Sequence, residues 1–180
     1  MATSIPSLTT AQIASLSTRT ISLLKTEDWA AFSSAQIAAL TTAQVAAITP
    51  LGLSSIGTEQ IAALETEDLR VLGATAIKAL TTSQLGALTT AQVTAMSSTQ
   101  VAALGTSQVS ALTTDHIGVL STQQVAALSS AQVSALTTAQ VAAIETQNVQ
   151  VLSSTQVRAI STAGIAALST EQVVALTTAQ

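Results

Sequence analysis

The sequence predicts an all-α protein, an α-solenoid built of very short capped helices with one helix in each eight-residue repeat. The repeat is unbroken, since counting from Met1 gives 22 octads and four further residues. Position eight is a large apolar residue in every octad, and position five is Ile, Val or Leu in all but one, where Trp29 stands. Position two is Ser or Thr in 20 of its 23 occurrences, which supplies each octad with a residue that can cap a helix.

The spacing of the apolar positions favours helix over strand. Positions five and eight lie three residues apart, as on one face of a helix, and the two positions between them are mostly Ala. One long helix is excluded, because eight residues advance about 80° beyond two full turns and the apolar stripe would spiral around the rod. The helix must therefore stop and restart in each octad.

Two positions could act as the N-cap, and we favour position two. The helix would then run from position three to position eight, and position one would be the joint. Gly57, Gly73 and Gly105 all hold position one, where a glycine commonly ends a helix. In the rival phase position one is the N-cap, Thr-x-x-Gln forms a capping box, and Pro50 falls at the first helical residue, where proline is welcome.

A helix of six or seven residues is not stable alone in water, so each octad must be stabilised by its neighbours. We expect positions five, seven and eight to be buried against neighbouring octads, as in solenoids held by contacts between adjacent repeats. The whole chain, 1–180, is predicted to be a single continuous array. Its last octad is an ordinary one and TTAQ begins another, so we expect a fragment of a longer array.

The number of octads in one solenoid turn is left open. Bulky residues at position seven fall in odd octads and the glycines at position one in even ones, which suggests a 16-residue unit. The competing architecture is a β-solenoid with 16 residues in each coil. Scarce Gly, abundant Ala and the lack of apolar–polar alternation argue against it.

Composition excludes several classes of protein. The chain has no Cys, so it has neither disulfides nor Cys-ligated metals, and this suits an exported bacterial protein. A net charge of −4 with five Lys and Arg residues argues against nucleic-acid binding. Hydroxyl residues interrupt every apolar run, so no stretch reaches the roughly 18–20 residues of a membrane span. MATSIPSLTTAQ does not have the pattern of a secretory signal.

Four residues depart from the repeat in ways that merit separate hypotheses. Trp29 and Phe32 occupy positions five and eight of one octad, and we predict that they plug the core; the alternative is an aromatic contact for a ligand. His116 stands beside Asp115 at position four, where Gln is usual, and is predicted to be a polar substitution on a solvated helix face. A single His cannot supply a metal site.

The densest charge cluster is formed by Glu65, Glu67, Asp68, Arg70 and Lys78, and we predict that it is a solvated face; a docking patch or weak cation site is the alternative. Neither a catalytic triad nor a phosphate-binding loop can be assembled from this sequence. We therefore assign no catalytic, cofactor-binding or metal-binding residue, and expect no cofactor and no enzymatic activity.

Two resemblances follow from the repeated words. LSTEQVVAL at 168–176 resembles the opening helix of TAL-effector repeats, which implies a short capped helix with Gln near its start. It does not imply DNA reading, because the family's second helix and base-reading loop have no counterpart here. The whole chain is similar to the Thr/Ala/Gln/Val-rich octad arrays of large bacterial surface or secreted proteins of the adhesin and haem-utilisation type. That similarity implies a spacer or scaffold located outside the cell or on its surface, without haem ligands.

The sequence thus predicts a non-enzymatic structural module whose partners are neighbouring repeats or other copies of the array, end to end. The alternative is a binding module that presents ordered Ser, Thr and Gln rows to ice, a glycan or a protein. The two hypotheses differ in where the hydroxyls point. Capping turns them toward backbone N–H groups, whereas a binding surface needs them free and outward.

Overall fold

The computed structural model describes residues 5–180, and this range is helical throughout, without a strand. It confirms the predicted solenoid of short helices, one for each octad, and excludes the β-solenoid. After a 3-10 helix, Ile5–Ser7, the α-helices are α1 Thr10–Ala14, α2 Thr18–Leu23, α3 Thr26–Ala30, α4 Ser34–Ala38, α5 Thr42–Ala46, α6 Pro50–Ser55, α7 Thr58–Ala62, α8 Thr66–Arg70, α9 Ala74–Ala79, α10 Thr82–Gly86, α11 Thr90–Ala95, α12 Ser98–Ala103, α13 Thr106–Ser110, α14 Thr114–Gly118, α15 Thr122–Ala126, α16 Ser130–Ser134, α17 Thr138–Ala142, α18 Thr146–Val149, α19 Ser154–Ala159, α20 Thr162–Ala166 and α21 Thr170–Ala175.

Each octad contains one helical stretch and one extended joint. In a representative octad, Thr41 has φ −78° and ψ 155° and caps α5, because its hydroxyl accepts a hydrogen bond from the Gln44 N–H. Position eight is extended as well, as shown by Leu24 with φ −63° and ψ 140°. Two consecutive extended residues, at positions eight and one, redirect the chain before the next helix begins.

The N-cap is position one, so the phase that we favoured from the sequence is wrong and its rival is confirmed. Pro50 is the first residue of α6, as the rival phase requires. Gly57, Gly73 and Gly105 cap the starts of helices and have φ between −74° and −70°, so none of them is the left-handed residue of a helix C-terminus. The physical reason is that this phase places Gln at the third helical residue, where its side chain closes a capping box.

Burial within the octad follows a fixed pattern, illustrated by residues 41–48. Val45 and Ile48 are buried, which confirms the predicted apolar core at positions five and eight. Ala47 at position seven is only half-buried, so the predicted full burial of this position is wrong, and Ala46 is exposed. Gln44 is buried as deeply as the apolar residues, which the sequence analysis did not anticipate.

The helices fall into two compact units, one ending at Ala95 and the other spanning Met96–Gln180. Within the first unit, α3 packs on α6 and α8 on α11; within the second, α12 packs on α15 and α16 on α19. Helices three apart therefore form the closest pairs, and side chains also reach the octad four before their own. One turn holds between three and four octads, so neither contacts between adjacent octads alone nor a 16-residue unit describes the packing.

Trp29 and Phe32 plug the core of the first unit, as predicted. Their rings are stacked, with centroids 5.0 Å apart and an interplanar angle of 17°, and the Trp29 side chain is fully buried. Gly52 makes room for the indole. A Cβ atom built at Gly52 would lie 2.8 Å from Trp29 Cδ1, closer than real Cβ contacts. The wide residue at position five is thus accommodated by a missing side chain at position four of a later octad.

Replacing Gly52 with Ala is expected to destabilise the protein by about 1–3 kcal/mol, because the stacked, buried indole has no space into which to move. Adding Trp29→Val to Gly52→Ala should restore most of this loss in a double-mutant cycle measured by urea unfolding. Gly118→Ala is the matched control. Its new Cβ would meet only Ala143 O, at 3.7 Å, so it should be neutral or slightly stabilising. Equal effects at the two glycines would contradict the packing argument.

Candidate functional site: a glutamine clamp between turns

The most regular polar feature of the structure is a buried Gln at position four, which we call the clamp. In the octad that begins at Thr137, the Thr137 N–H donates to Gln140 Oε1 at 2.8 Å. Gln140 Nε2 donates to Val109 O at 3.0 Å and to Leu112 O at 2.6 Å, in the octad four before. One side chain thereby satisfies a free N–H at the start of its own helix and two carbonyls at the end of a helix one turn away.

The clamp recurs in both units with the same separations of 31 and 28 residues. In the first unit, for example, Gln44 Nε2 donates to Ile13 O at 2.8 Å and to Leu16 O at 2.7 Å. Both contacts to the preceding turn are also made by Gln36, Gln84, Gln92, Gln132, Gln156, Gln172 and Gln180.

Glutamine suits this position because the clamp needs an acceptor and a donor on one long side chain. Its oxygen completes the capping box, and its NH₂ group supplies two donors in an almost dry environment. Each hydrogen bond contributes about 1 kcal/mol net, but leaving a buried partner unpaired costs about 1–3 kcal/mol. The clamps therefore fix how successive turns stack, since a displaced turn would leave buried carbonyls without donors.

Asn148 shows what a shorter side chain at position four can do. Its Nδ2 donates to Leu120 O at 2.7 Å, which keeps one contact between turns. Its Oδ1 is buried without a hydrogen-bond partner, and Glu145, the N-cap of α18, makes no side-chain capping bond. Asparagine is thus half a clamp, because one methylene fewer prevents it from reaching its own N-cap.

His116 is buried, so its predicted place on a solvated helix face is wrong. It occupies the clamp position, and the Thr113 N–H donates to His116 Nδ1 at 3.3 Å. The imidazole therefore accepts a capping hydrogen bond at one ring nitrogen, as Gln does through Oε1. The error arose because position four was assigned to the outer face of the helix.

The predicted charge cluster separates into an exposed part and one buried member. Glu65, Glu67, Arg70 and Lys78 are exposed, as expected of a solvated face, and Arg70 Nη1 lies 3.1 Å from Glu67 Oε1. Asp68 is buried, so the prediction is wrong for this residue. It stands at position four of its octad, where a carboxylate replaces the clamp amide.

The Asp68 carboxyl is in an unfavourable place for a charge. Burial raises its pKa above the ordinary value of 3.8; a hydrogen bond with the Thr42 side chain opposes the shift, and the neighbouring Glu65 and Glu67 charges reinforce it. An ionised carboxylate accepts hydrogen bonds but cannot donate one, so it cannot act as a clamp toward carbonyl oxygens. Asp68 therefore weakens the solenoid at neutral pH.

Asp68→Gln is expected to stabilise the protein at pH 7 by roughly 1–3 kcal/mol, by placing an amide within register of Ile37 O and Leu40 O. The gain depends on pH. Below pH 3.8 the carboxyl is neutral in both the folded and the unfolded state, so the charge penalty is absent there. The penalty grows as the pH rises through the raised pKa, and the gain from the substitution is complete at neutral pH. Urea unfolding across this pH range measures it.

Asn148→Gln is the matched control for this prediction. It lengthens a neutral side chain so that its oxygen reaches the Glu145 N–H, and should stabilise the protein by about 1 kcal/mol at every pH. If both substitutions had the same pH dependence, a buried charge would not be the cause at Asp68.

Sequence reasoning missed the clamp although the signal was present. Gln fills position four in 14 of its 23 occurrences, directly before the apolar residue at position five. A polar residue repeated that often beside the core has a fixed partner. The partner itself lies about 30 residues away, and no local pattern identifies it.

Comparison with protein families places this geometry. The model of the ALTTAQ repeat matches residues 21–58, 61–98, 93–122, 117–143 and 141–178, which together cover more than half of the chain. The chain belongs to the ALTTAQ repeat family. The six letters occur at 135–140, where they span the end of α16, the extended joint, the N-cap and the clamp Gln140. The ALTTAQ repeat thus carries the complete connection between helices.

A search of curated proteins and of solved structures found no match to the chain. The family match supports a repeat array, and it includes neither TAL effectors nor adhesins. Within residues 5–180, no helix has the length and apolar character needed to cross a bilayer. The same residues contain no group of three or more His, Asp or Glu side chains placed to hold a metal ion.

Proposed function

We propose that this ALTTAQ repeat array is a non-enzymatic structural module, a spacer or scaffold segment of a bacterial surface or secreted adhesin-like protein. The observation that carries the proposal is the clamp. The most frequent polar side chain of the repeat is buried and hydrogen-bonded to backbone groups of two helices. The repeat therefore devotes its specific chemistry to joining turns.

The surface of the array supports the same role. Positions two, three and six are exposed, and Ser, Thr and Ala predominate there. Only 8% of the residues are charged, and the net charge is −4. Such a surface offers short, neutral side chains with little electrostatic attraction for other molecules. A spacer benefits from these properties, because it must separate other parts of a protein without binding to them.

The spacer role is tested by changing the number of octads. Variants with four or eight octads of LTTAQVAA sequence added within the array should gain maximum dimension in equal steps, measured by small-angle X-ray scattering. Circular dichroism should show the same helical spectrum for each residue. A chain whose maximum dimension stays constant while octads are added would contradict the proposal.

The location is tested in the source bacterium. Antibodies against the array should label intact cells or the culture medium, and protease added to intact cells should remove the labelling. Labelling that requires lysis of the cells would refute the extracellular location while leaving the scaffold role in place.

A binding role is the second candidate, and it now concerns the exposed hydroxyls at position two. The Gln side chains cannot form its surface rows, because the clamps are buried. The hydroxyls at position one accept capping bonds, as Thr137 does from the Gln140 N–H. Thr82, Thr122 and Thr138 illustrate the exposed hydroxyls at position two. Thermal hysteresis and glycan-array binding by the wild-type chain would support this role, and their absence would leave the spacer.

A further inference from the structure

Each turn of the array is polar, with donors on one side and acceptors on the other. The clamp side chain at position four always reaches the preceding turn, as Gln132 does to Val101 O and Leu104 O. The apolar side chain at position five is covered by the following turn. Ile13 and Ile21 are fully buried although they lie near the start of the chain, whereas Ile165 and Val173, near its end, are 41% and 50% exposed.

The last octads therefore present an incomplete interface, which we call the C-terminal face. It consists of Ile165 and Val173 at position five and the half-buried Leu168 and Leu176 at position eight. In the interior of the same unit the corresponding residues are covered, and Val141, for example, is 1% exposed. The backbone carbonyls of these positions are the groups that accept clamp hydrogen bonds elsewhere in the array.

The first octads present the opposite half, which we call the N-terminal face. It consists of the position-four side chains of α1, α2 and α3, namely Gln12, Thr20 and Asp28. Gln12 already forms the capping half of a clamp, since the Thr9 N–H donates to its Oε1 at 2.8 Å. The side chain is exposed, unlike the buried clamps of the interior.

We propose that the C-terminal face binds the N-terminal face of a second copy of this chain, head to tail. The inference deepens the scaffold role proposed above and rests on it. A second copy is the fitting occupant because the two faces are the two halves of an interface that the array already forms between its own turns. Gln12 of one copy would donate to the carbonyls of the other, and the exposed aliphatic residues would be covered.

The polarity of the faces also fixes the kind of assembly. Two C-terminal faces would bring carbonyl oxygens together without donors, so a symmetric pair is disfavoured. A head-to-tail contact uses different surfaces on each copy and leaves one of each face free. Such contacts generate open linear assemblies unless they close into a ring. Asp28 limits the affinity, because its carboxylate would approach the carbonyls of the other copy.

The test compares two adjacent valines. Val173→Asp places a charge on the C-terminal face, whereas Val174→Asp, at a site that is 79% exposed, places the same charge on the outer surface. Sedimentation velocity at rising concentrations should show linear association for the wild type and for Val174→Asp. Val173→Asp should associate at least tenfold more weakly. Both variants should retain the wild-type helical spectrum.

A second pair of variants tests the donor side. Asp28→Gln supplies a second amide donor and removes the carboxylate, so association should strengthen by about tenfold. Gln12→Glu should weaken it by a similar factor. The inference is overturned if the wild type remains monomeric at millimolar concentration, stops at a closed dimer, or responds equally to Val173→Asp and Val174→Asp. A monomer whose maximum dimension still grows with added octads would refute the assembly and leave the spacer function intact.

Discussion

Insertion of one alanine between Leu120 and Ser121 is expected to destabilise the C-terminal unit by on the order of 5 kcal/mol. Every side chain after the insertion shifts by one residue relative to the turn before it. A loss of this size is comparable with the total stability of many small domains, so the unit should lose its cooperative transition. Thermal and urea unfolding followed by circular dichroism measure the effect.

The expected size follows from the hydrogen bonds that cross the insertion point. Four side chains after it donate to carbonyls at or before Leu120, namely Gln124, Gln132, Gln140 and Asn148. All four contacts have a separation of 28 residues, and an insertion changes each of them at once. The apolar side chains at positions five and eight are displaced in the same step, which adds to the loss.

The matched control inserts a complete octad, STAQVAAL, at the same point. Each clamp then meets the equivalent carbonyls of a different octad, so stability should remain near that of the wild type. If the eight-residue insertion were as damaging as the single alanine, the repeat register would not be the cause. If the single alanine were harmless, the octads would be independent and the clamps unimportant.

Replacement of Gln132 by Glu is expected to cost about 3 kcal/mol or more at pH 7. The oxygen that accepts from the Ser129 N–H is retained, but the donor to Val101 O and Leu104 O is replaced by a buried carboxylate. Protonation gives the carboxyl a donor, so part of the loss should be recovered at pH 4. Urea unfolding at the two pH values checks both statements.

Gln123→Glu is the control for this substitution. Gln123 is exposed at position three, in the first turn of α15, where a negative charge is favourable or neutral. Its stability should stay within about 0.5 kcal/mol of the wild type at pH 7. Equal losses at the adjacent residues 123 and 132 octads would show that general charge repulsion, and not the clamp, governs stability.

The sequence was sufficient for the class of fold and for the length of each element. The three-residue spacing of the apolar positions and the drift of a continuous helix over eight residues required a helix that restarts in every octad, and the structure has such a helix. The capping phase was wrong because both positions one and two are rich in hydroxyls. The capping-box partner, Gln at position four, was the deciding residue, and it agreed with position one.

The stacking of turns could not be predicted from the sequence. All octads resemble one another, so any octad could have packed against any other without a change in the local pattern. The separation of 28 and 31 residues emerges from the bend at positions eight and one, which sets the path of the chain. Burial of position four depends on that path, and for this reason His116 and Asp68 were assigned to solvent.

Hydrogen exchange of the glutamine side-chain amides tests the central claim most directly. In a chain labelled with ¹⁵N at Gln, the NH₂ groups of interior clamps such as Gln132 and Gln140 should exchange at least tenfold more slowly than those of the exposed Gln123, Gln147 and Gln150. Gln140→Glu should remove one slowly exchanging pair and assign it. Uniformly fast exchange of all glutamine amides would contradict the account, because the turns would then be stacked without clamps.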